Sequence, residues 1–244
     1  MATIILAGDF GTSGVNEKRE RFVIPLTNKN FYLSQIQKYI TGYNRVVFIA
    51  NDPANFEMNN ERSYMHFQSL EMTGLRFKEK IILDNRNKKD YKTILENADL
   101  IFLSGGKLIC QLEFFREISL KEFIKDYSGL IIGASAGAMT LCNYMTNFPE
   151  YLHEIDNRKT EDYIIEGLGL NDDIIIPHFD GKSFGKTYLN EGIDYMNDYI
   201  LPLSVGRTLL GIPDGSYILL HDGKKEYFGD FFLIENKKIT KVQK

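Results

Sequence analysis

Cysteine is scarce in this 244-residue sequence, with only Cys110 and Cys142 present. Two cysteines make no disulfide framework, so both are expected as buried thiols and stability must come from packing. Histidine is almost as rare. Only His66, His153, His178 and His221 occur, and no HxxxH or CxxC pair is found among them. Neither a metal nor another cofactor is therefore expected. An excess of basic charge is also missing: 29 Lys and Arg stand against 33 Asp and Glu, for a net charge of −4. Without a basic stripe to neutralise phosphates, nucleic acid is excluded as a partner. No apolar run approaches the roughly 20 residues of a membrane span. The apolar start, Met1 to Gly8, is too short for a secretory signal and lacks its basic flank. No membrane partner and a cytoplasmic location are the expectations. Internal repeats, low-complexity tracts and Pro/Ser-rich linkers are absent as well, so residues 1–244 are read as a single domain.

What is present is an ordinary globular composition, 43% hydrophobic and 25% charged, which implies a packed core. Short Ile/Val/Leu runs alternate with amphipathic stretches of helical length, the pattern of βαβ units and a mostly parallel sheet flanked by helices. Strands are expected at Thr3–Ala7, Arg45–Ala50, Lys80–Leu83, Leu100–Leu103, Leu130–Ile132 and Ile174–Ile176. Helices are expected over Phe31–Ile40, with Leu33, Ile36 and Ile40 on one stripe, and over Arg62–Met72, with Met65, Ser69 and Met72 inward. From Leu209 onward the strands are closely spaced, around Ser216–His221, Glu226–Phe228 and Phe232–Ile234, which reads as an antiparallel edge at the C-terminus. The charged stretch from Asn147 to Glu166 reads as a surface excursion near the top of the sheet.

The strongest local signal is Gly133-Ala134-Ser135-Ala136-Gly137, a G-x-S-x-G pentapeptide between the apolar run Leu130-Ile131-Ile132 and the helix-forming Ala138-Met139-Thr140-Leu141. A serine in so tight a strand-to-helix turn is held in strained backbone with its hydroxyl exposed, at a helix N-terminus that favours negative charge. The same pentapeptide also serves close strand–helix packing or a phosphate cradle. The choice depends on partners.

A serine nucleophile needs a base, and His178 has the most telling context. In Ile174-Ile175-Ile176-Pro177-His178-Phe179-Asp180, an apolar strand ends at a proline and the histidine follows at the strand's C-terminal edge, where open α/β sheets bind ligands. His66, His153 and His221 fall in a helix, a charged loop and a late strand. A second turn, Ser104-Gly105-Gly106-Lys107, also follows a strand, and adjacent glycines let backbone N–H groups approach a ligand closely, as an oxyanion hole requires.

With these motifs in view, the sequence resembles the aspartyl dipeptidase (peptidase E) family of serine peptidases, relatives of cyanophycinase on the class I glutamine amidotransferase-like α/β fold. The resemblance rests on the Gly-Gly turn, the Gly-Ala-Ser-Ala-Gly-Ala elbow, Gly167-Leu168-Gly169-Leu170 leading to Ile176-Pro177-His178-Phe179, and Gly211-Ile212-Pro213-Asp214-Gly215. It implies Ser135 as nucleophile, His178 as base, Asp214 as the acidic third member, and Gly106 and Ala136 as the oxyanion hole. It also implies a small peptide substrate with an acidic N-terminal residue, cleaved by a monomer or homodimer. Lys107 departs from the Asn or Asp usual in the family after the glycine pair. A substrate carboxylate needs a cation. Arg207 is the first candidate and Lys107 the second, with Arg158, Lys159 and Lys182 weaker. Two rival readings stay open. One is an α/β-hydrolase esterase, whose chain order would use Ser135, Asp194 or Asp198, and His221. The other is a binding module that keeps the fold without turnover.

Overall fold

Successive residues of a β-strand point to opposite faces, and here both faces are apolar. Val46 and Phe48 enter one buried cluster while Val47 and Ile49 enter the other. The same alternation holds for Leu100 and Phe102 against Ile101 and Leu103, and for Leu130 and Ile132 against Ile131. Such strands must be covered on both sides, as parallel sheets are. The structure, a computed structural model, describes residues 2–9, 11–18, 20–149, 152–156, 158–182 and 193–243.

The strands of the two larger sheets are β1 (Thr3–Ala7), β2 (Arg45–Ile49), β3 (Glu79–Leu83), β4 (Leu100–Leu103), β5 (Leu130–Ala134), β6 (Ile174–Pro177), β7 (Thr208–Ile212), β8 (Tyr217–His221), β9 (Lys224–Phe228), β10 (Asp230–Glu235) and β11 (Lys238–Gln243). A seven-stranded sheet runs β9-β8-β1-β5-β4-β2-β3. Its members from β1 to β3 are mutually parallel, and β8 and β9 form the antiparallel edge. The α/β class, the mostly parallel sheet and the antiparallel edge match the sequence reading, except that Phe232–Ile234, expected in that edge, lies in β10 of a second sheet.

The helices are α1 (Tyr32–Tyr39), α2 (Phe56–Met72), α3 (Tyr91–Glu96), α4 (Leu108–Glu117), α5 (Leu120–Asp126) and α6 (Ala136–Thr140). Tyr32 and Ile36 of α1, with Phe67 and Leu70 of α2, cover one face of the sheet. Leu112 and Phe115 of α4, with Leu120 and Ile124 of α5, cover the other. The inward stripe of α2 matches the expected one only at Ser69: Asn59, Ser63, Phe67, Ser69 and Leu70 are buried while Met72 is 57% exposed. The helix begins six residues earlier than expected, with the Asn55 side chain accepting from the Met58 N–H as its cap.

Ile174–Ile176 was expected in the main sheet, and here the structure corrects the sequence. These residues belong to β6, the edge of a separate four-stranded sheet ordered β6-β7-β10-β11. Strand periodicity reports burial and not the partner, so an apolar strand in a second sheet looks the same. An edge position also explains why Pro177 is tolerated, since its missing N–H would break a central ladder. This second sheet shares the core beneath α4 and α5: Ile175, Leu210, Ile212 and Phe231 pack in one cluster with Leu6, Ile131 and Leu112. The excursion after Asn147 is more ordered than a bare loop, with turns at Leu152–Glu154 and Thr160–Tyr163 and a short strand at Ile164–Glu166 paired with Tyr144–Thr146. Both cysteines are free. Cys142 is buried, which pushes its thiol up to about 12, whereas Cys110 is only half-buried. Among the described residues no helix is long and apolar enough to cross a membrane.

Candidate active site

Ser135 sits between β5 and α6 with φ 52° and ψ −119°. A non-glycine residue there is strained and persists only when its surroundings over-determine it. They do: the Ser135 N–H is shared between the Ala7 and Gly8 carbonyls at 3.0 and 2.9 Å, and the Ser135 carbonyl accepts from the Ala138 and Met139 N–H groups. The small neighbours are needed for space. A Cβ on Gly137 would lie 2.2 Å from the Leu103 carbonyl oxygen, and one on Gly105 would lie 2.9 Å from Cβ of Ser135. The elbow and the Gly-Gly turn are therefore in backbone contact across the C-terminal ends of β4 and β5.

His178 follows β6 and also has positive φ, at 60°. Its Nε2 lies 2.8 Å from Oγ of Ser135, and its Nδ1 lies 2.7 Å from Oδ1 of Asp214. A carboxylate can only accept, so Nδ1 carries the proton and donates to Asp214, which leaves Nε2 to accept from the serine hydroxyl. The imidazole is sheltered and the acid is not, with side-chain exposures of 14% and 62%. Parallel pairing of β6 with β7 places Pro177 beside Ile212, so His178 and Asp214 emerge from neighbouring strand ends. The turn carrying Asp214 is tied down from outside. Asn30 Nδ2 donates to the Gly215 carbonyl at 2.7 Å, Lys29 Nζ donates to the Asp214 carbonyl at 3.2 Å, and the Gly215 N–H donates to the Asp9 carbonyl at 2.8 Å.

Ala136 is the first residue of α6, where a helix has no acceptor of its own for the N–H. Gly106 lies in the neighbouring turn with φ 134°, a conformation that disfavours any side chain. Both backbone groups suggested for an oxyanion hole thus flank the Ser135 region.

The suggested cations fare differently. Arg207 precedes β7 whereas Asp214 follows it, so the five-residue strand separates them. At about 3.3 Å per residue the two lie roughly 20 Å apart, beyond the reach of an arginine. Closeness in sequence was misleading because an intervening strand is extended. Lys107 does adjoin the glycine turn, but its Nζ is 2.7 Å from Oδ2 of the largely buried Asp52. Arg158 pairs with Asp156 and lies over the Tyr163 ring. Lys159 precedes the turn at Thr160–Tyr163 and its N–H donates to Oδ2 of Asp162, and the Lys182 N–H donates to Oδ1 of Asp180. The alternative Ser-Asp-His order is not assembled. His221 Nδ1 is bound to Oγ1 of Thr3 at 2.8 Å, at the end of β1 remote from Ser135, and Asp194 caps the turn at Tyr195–Ile200.

Sequence reasoning missed Arg62, whose Nη1 donates to the Gly105 carbonyl at 3.1 Å, and Asn51, which is buried against Gly106. It also missed Lys29 and Asn30 at the Asp214 turn. No motif marks any of them, since each acts through a contact distant in sequence.

Residues 27–228 match the model of peptidase family S51. Among solved structures, the chain is similar to a crystal structure described as a "putative peptidase E protein" from Listeria monocytogenes EGD-e. The two are 16% identical with a TM-score of 0.55, and the match covers 93% of this chain and 98% of that one. At that identity the likeness concerns the fold. No curated protein matches the sequence.

Proposed function

The chain belongs to peptidase family S51, and from that premise we propose that it hydrolyses short peptides, dipeptides with an acidic N-terminal residue above all, through Ser135, His178 and Asp214. The observation that carries this reading is the hydrogen-bonded chain from Oγ of Ser135 through both ring nitrogens of His178 to Asp214, at 2.8 and 2.7 Å.

In this mechanism Nε2 of His178 takes the proton of Ser135 as Oγ attacks the peptide carbonyl. The carbonyl oxygen becomes an oxyanion held by the N–H groups of Gly106 and Ala136. His178 returns its proton to the leaving amine, the C–N bond breaks, and the acyl group stays on Ser135. Water then attacks the ester with His178 again as base, which frees the acid and restores the serine. Asp214 keeps the proton on Nδ1 throughout and stabilises the imidazolium.

The preference for an acidic residue rests on the family resemblance. Of the two principal cations named for it, only Lys107 is at the turn, and a substrate carboxylate would share its ammonium with Asp52. Profiling a dipeptide library with varied N-terminal residues tests both levels. Hydrolysis by the wild type and none by Ser135→Ala is expected. Asp-X dipeptides should lead, and Lys107→Ala should lower kcat/KM for them about tenfold more than for neutral ones, an effect of roughly 1.4 kcal/mol. Equal rates on acidic and neutral dipeptides would remove the acidic preference. Equal hydrolysis by Ser135→Ala would remove the serine mechanism.

A further inference from the structure

The peptide that joins Gly105 to Gly106 has no side chain on either flank, so nothing within the turn itself opposes rotation of its plane. An oxyanion donor must nevertheless be pointed before the reaction begins. The surroundings of this peptide are asymmetric. On one side, a Cβ on Gly105 would meet Cβ of Ser135 at 2.9 Å. On the other, a Cβ on Gly106 would fall 1.8 Å from Nδ2 of Asn51 and 2.8 Å from Nη1 of Arg62. The turn is thus wedged between Ser135 and a wall formed by Asn51 and Arg62. Asn51 is 1% exposed two residues beyond β2, and Arg62 lies in the middle of α2.

We propose that Arg62 is a positioning residue that sets the oxyanion hole by holding the Gly105 carbonyl, which its Nη1 reaches at 3.1 Å. In a trans peptide the C=O and the next N–H point in opposite directions, and the described chain contains no cis bond. Drawing the Gly105 carbonyl toward Arg62 turns the Gly106 N–H away from the wall and toward the serine. The guanidinium makes this a charge-assisted bond, about twice as strong as a neutral one, and its positive charge strengthens the dipole of the peptide it grips. Asn51 blocks the space that a rotated plane would need.

The proposal rests on the serine-peptidase reading, and its test separates the two. Wild type, Ser135→Ala, Arg62→Ala and Arg62→Lys are assayed on Asp-Leu, and the crystal structure of Arg62→Ala is determined. A displaced donor should cost less than the roughly 10²–10³-fold in kcat of a deleted one. Arg62→Ala should therefore lower kcat tenfold to a hundredfold with KM within twofold, and Arg62→Lys should recover part of the loss. The crystal should show the Gly105–Gly106 peptide rotated from its wild-type orientation. An unrotated peptide overturns the proposal whatever the activity, and so does an unchanged kcat. A rise in KM alone would make Arg62 a ligand of the substrate instead. Equal activity of wild type and Ser135→Ala would defeat the serine reading, while the crystal would still decide whether Arg62 holds the peptide. Should Arg62→Ala fail to fold, Arg62→Met keeps the alkyl stem and carries the same two readouts.

Discussion

The two halves of the candidate site are held by different means. Ser135 is fixed from within its own segment and the adjoining strand ends: a shared N–H bond to Ala7 and Gly8, two bonds accepted from α6, and glycines that leave no space to move. His178 and Asp214 follow the ends of two paired strands in the smaller sheet, and the acid is 62% exposed. Ser135 thus belongs to the buried framework, whereas Asp214 is carried on a turn secured by Lys29 and Asn30. Substitutions that add bulk to the first half should affect folding as much as chemistry. Those in the second should affect chemistry alone.

The largest expected effect isolates chemistry within the rigid half. Ser135→Ala removes one hydroxyl and leaves the backbone bonds, so turnover should fall by roughly 10⁴-fold or more while the thermal midpoint stays within a few degrees. Peptide hydrolysis and calorimetry on the same preparation check it.

Gly137→Ala is the converse. Its methyl group would press on the Leu103 carbonyl at 2.2 Å, and backbone on both sides cannot yield cheaply. A loss of about 3 kcal/mol in urea unfolding is expected, at the upper end of overpacking costs. A neutral result would mean that the elbow is softer than its contacts imply.

Asp214→Asn probes the exposed half. Water screens a carboxylate of that exposure, so kcat should drop only about 10–100-fold, less than for a buried acid that fixes a tautomer. Folding stability should be unchanged. A loss as large as that of Ser135→Ala would show the two halves to be equally rigid.

A smaller effect concerns acid stability, which the comparison assigns to the framework side. His66 packs against Phe48 and Phe102, and burial lowers its imidazole to about 4 despite the bond to the Arg62 carbonyl. The native state therefore keeps His66 neutral where the unfolded chain, near 6.5, takes up a proton. Stability should be full above pH 6.5 and decline as pH falls toward 4, by about 3 kcal/mol. His66→Leu should flatten that part of the profile, which denaturant titrations from pH 4 to 7 would show. At the bottom of the scale, Arg207→Ala and His221→Ala should leave kcat/KM within twofold, because neither residue reaches Ser135.

The same contrast explains what could be read from the sequence. The elbow was legible because its whole logic is local: strand, small-Ser-small turn and helix fall within a dozen consecutive residues. His178 was legible for the same reason, through the proline-ended strand before it. The sheet to which that strand belongs was not, since apolar periodicity records burial without naming a neighbour. Arg207 was misplaced because five extended residues carry Asp214 away from it. The supports at Arg62, Asn51, Lys29 and Asn30 were invisible for a third reason. Their partners are backbone carbonyls and a bare glycine, which leave no mark in residue identity.

The most direct test of the central claim is to treat the protein with a fluorophosphonate and map the adduct by mass spectrometry, in the wild type and in His178→Ala. An activated serine reacts through its oxygen, so the account predicts one adduct, on Ser135, formed at least a hundredfold more slowly without His178. An adduct on another serine with Ser135 unmodified, or labelling of Ser135 that ignores the loss of His178, would contradict it.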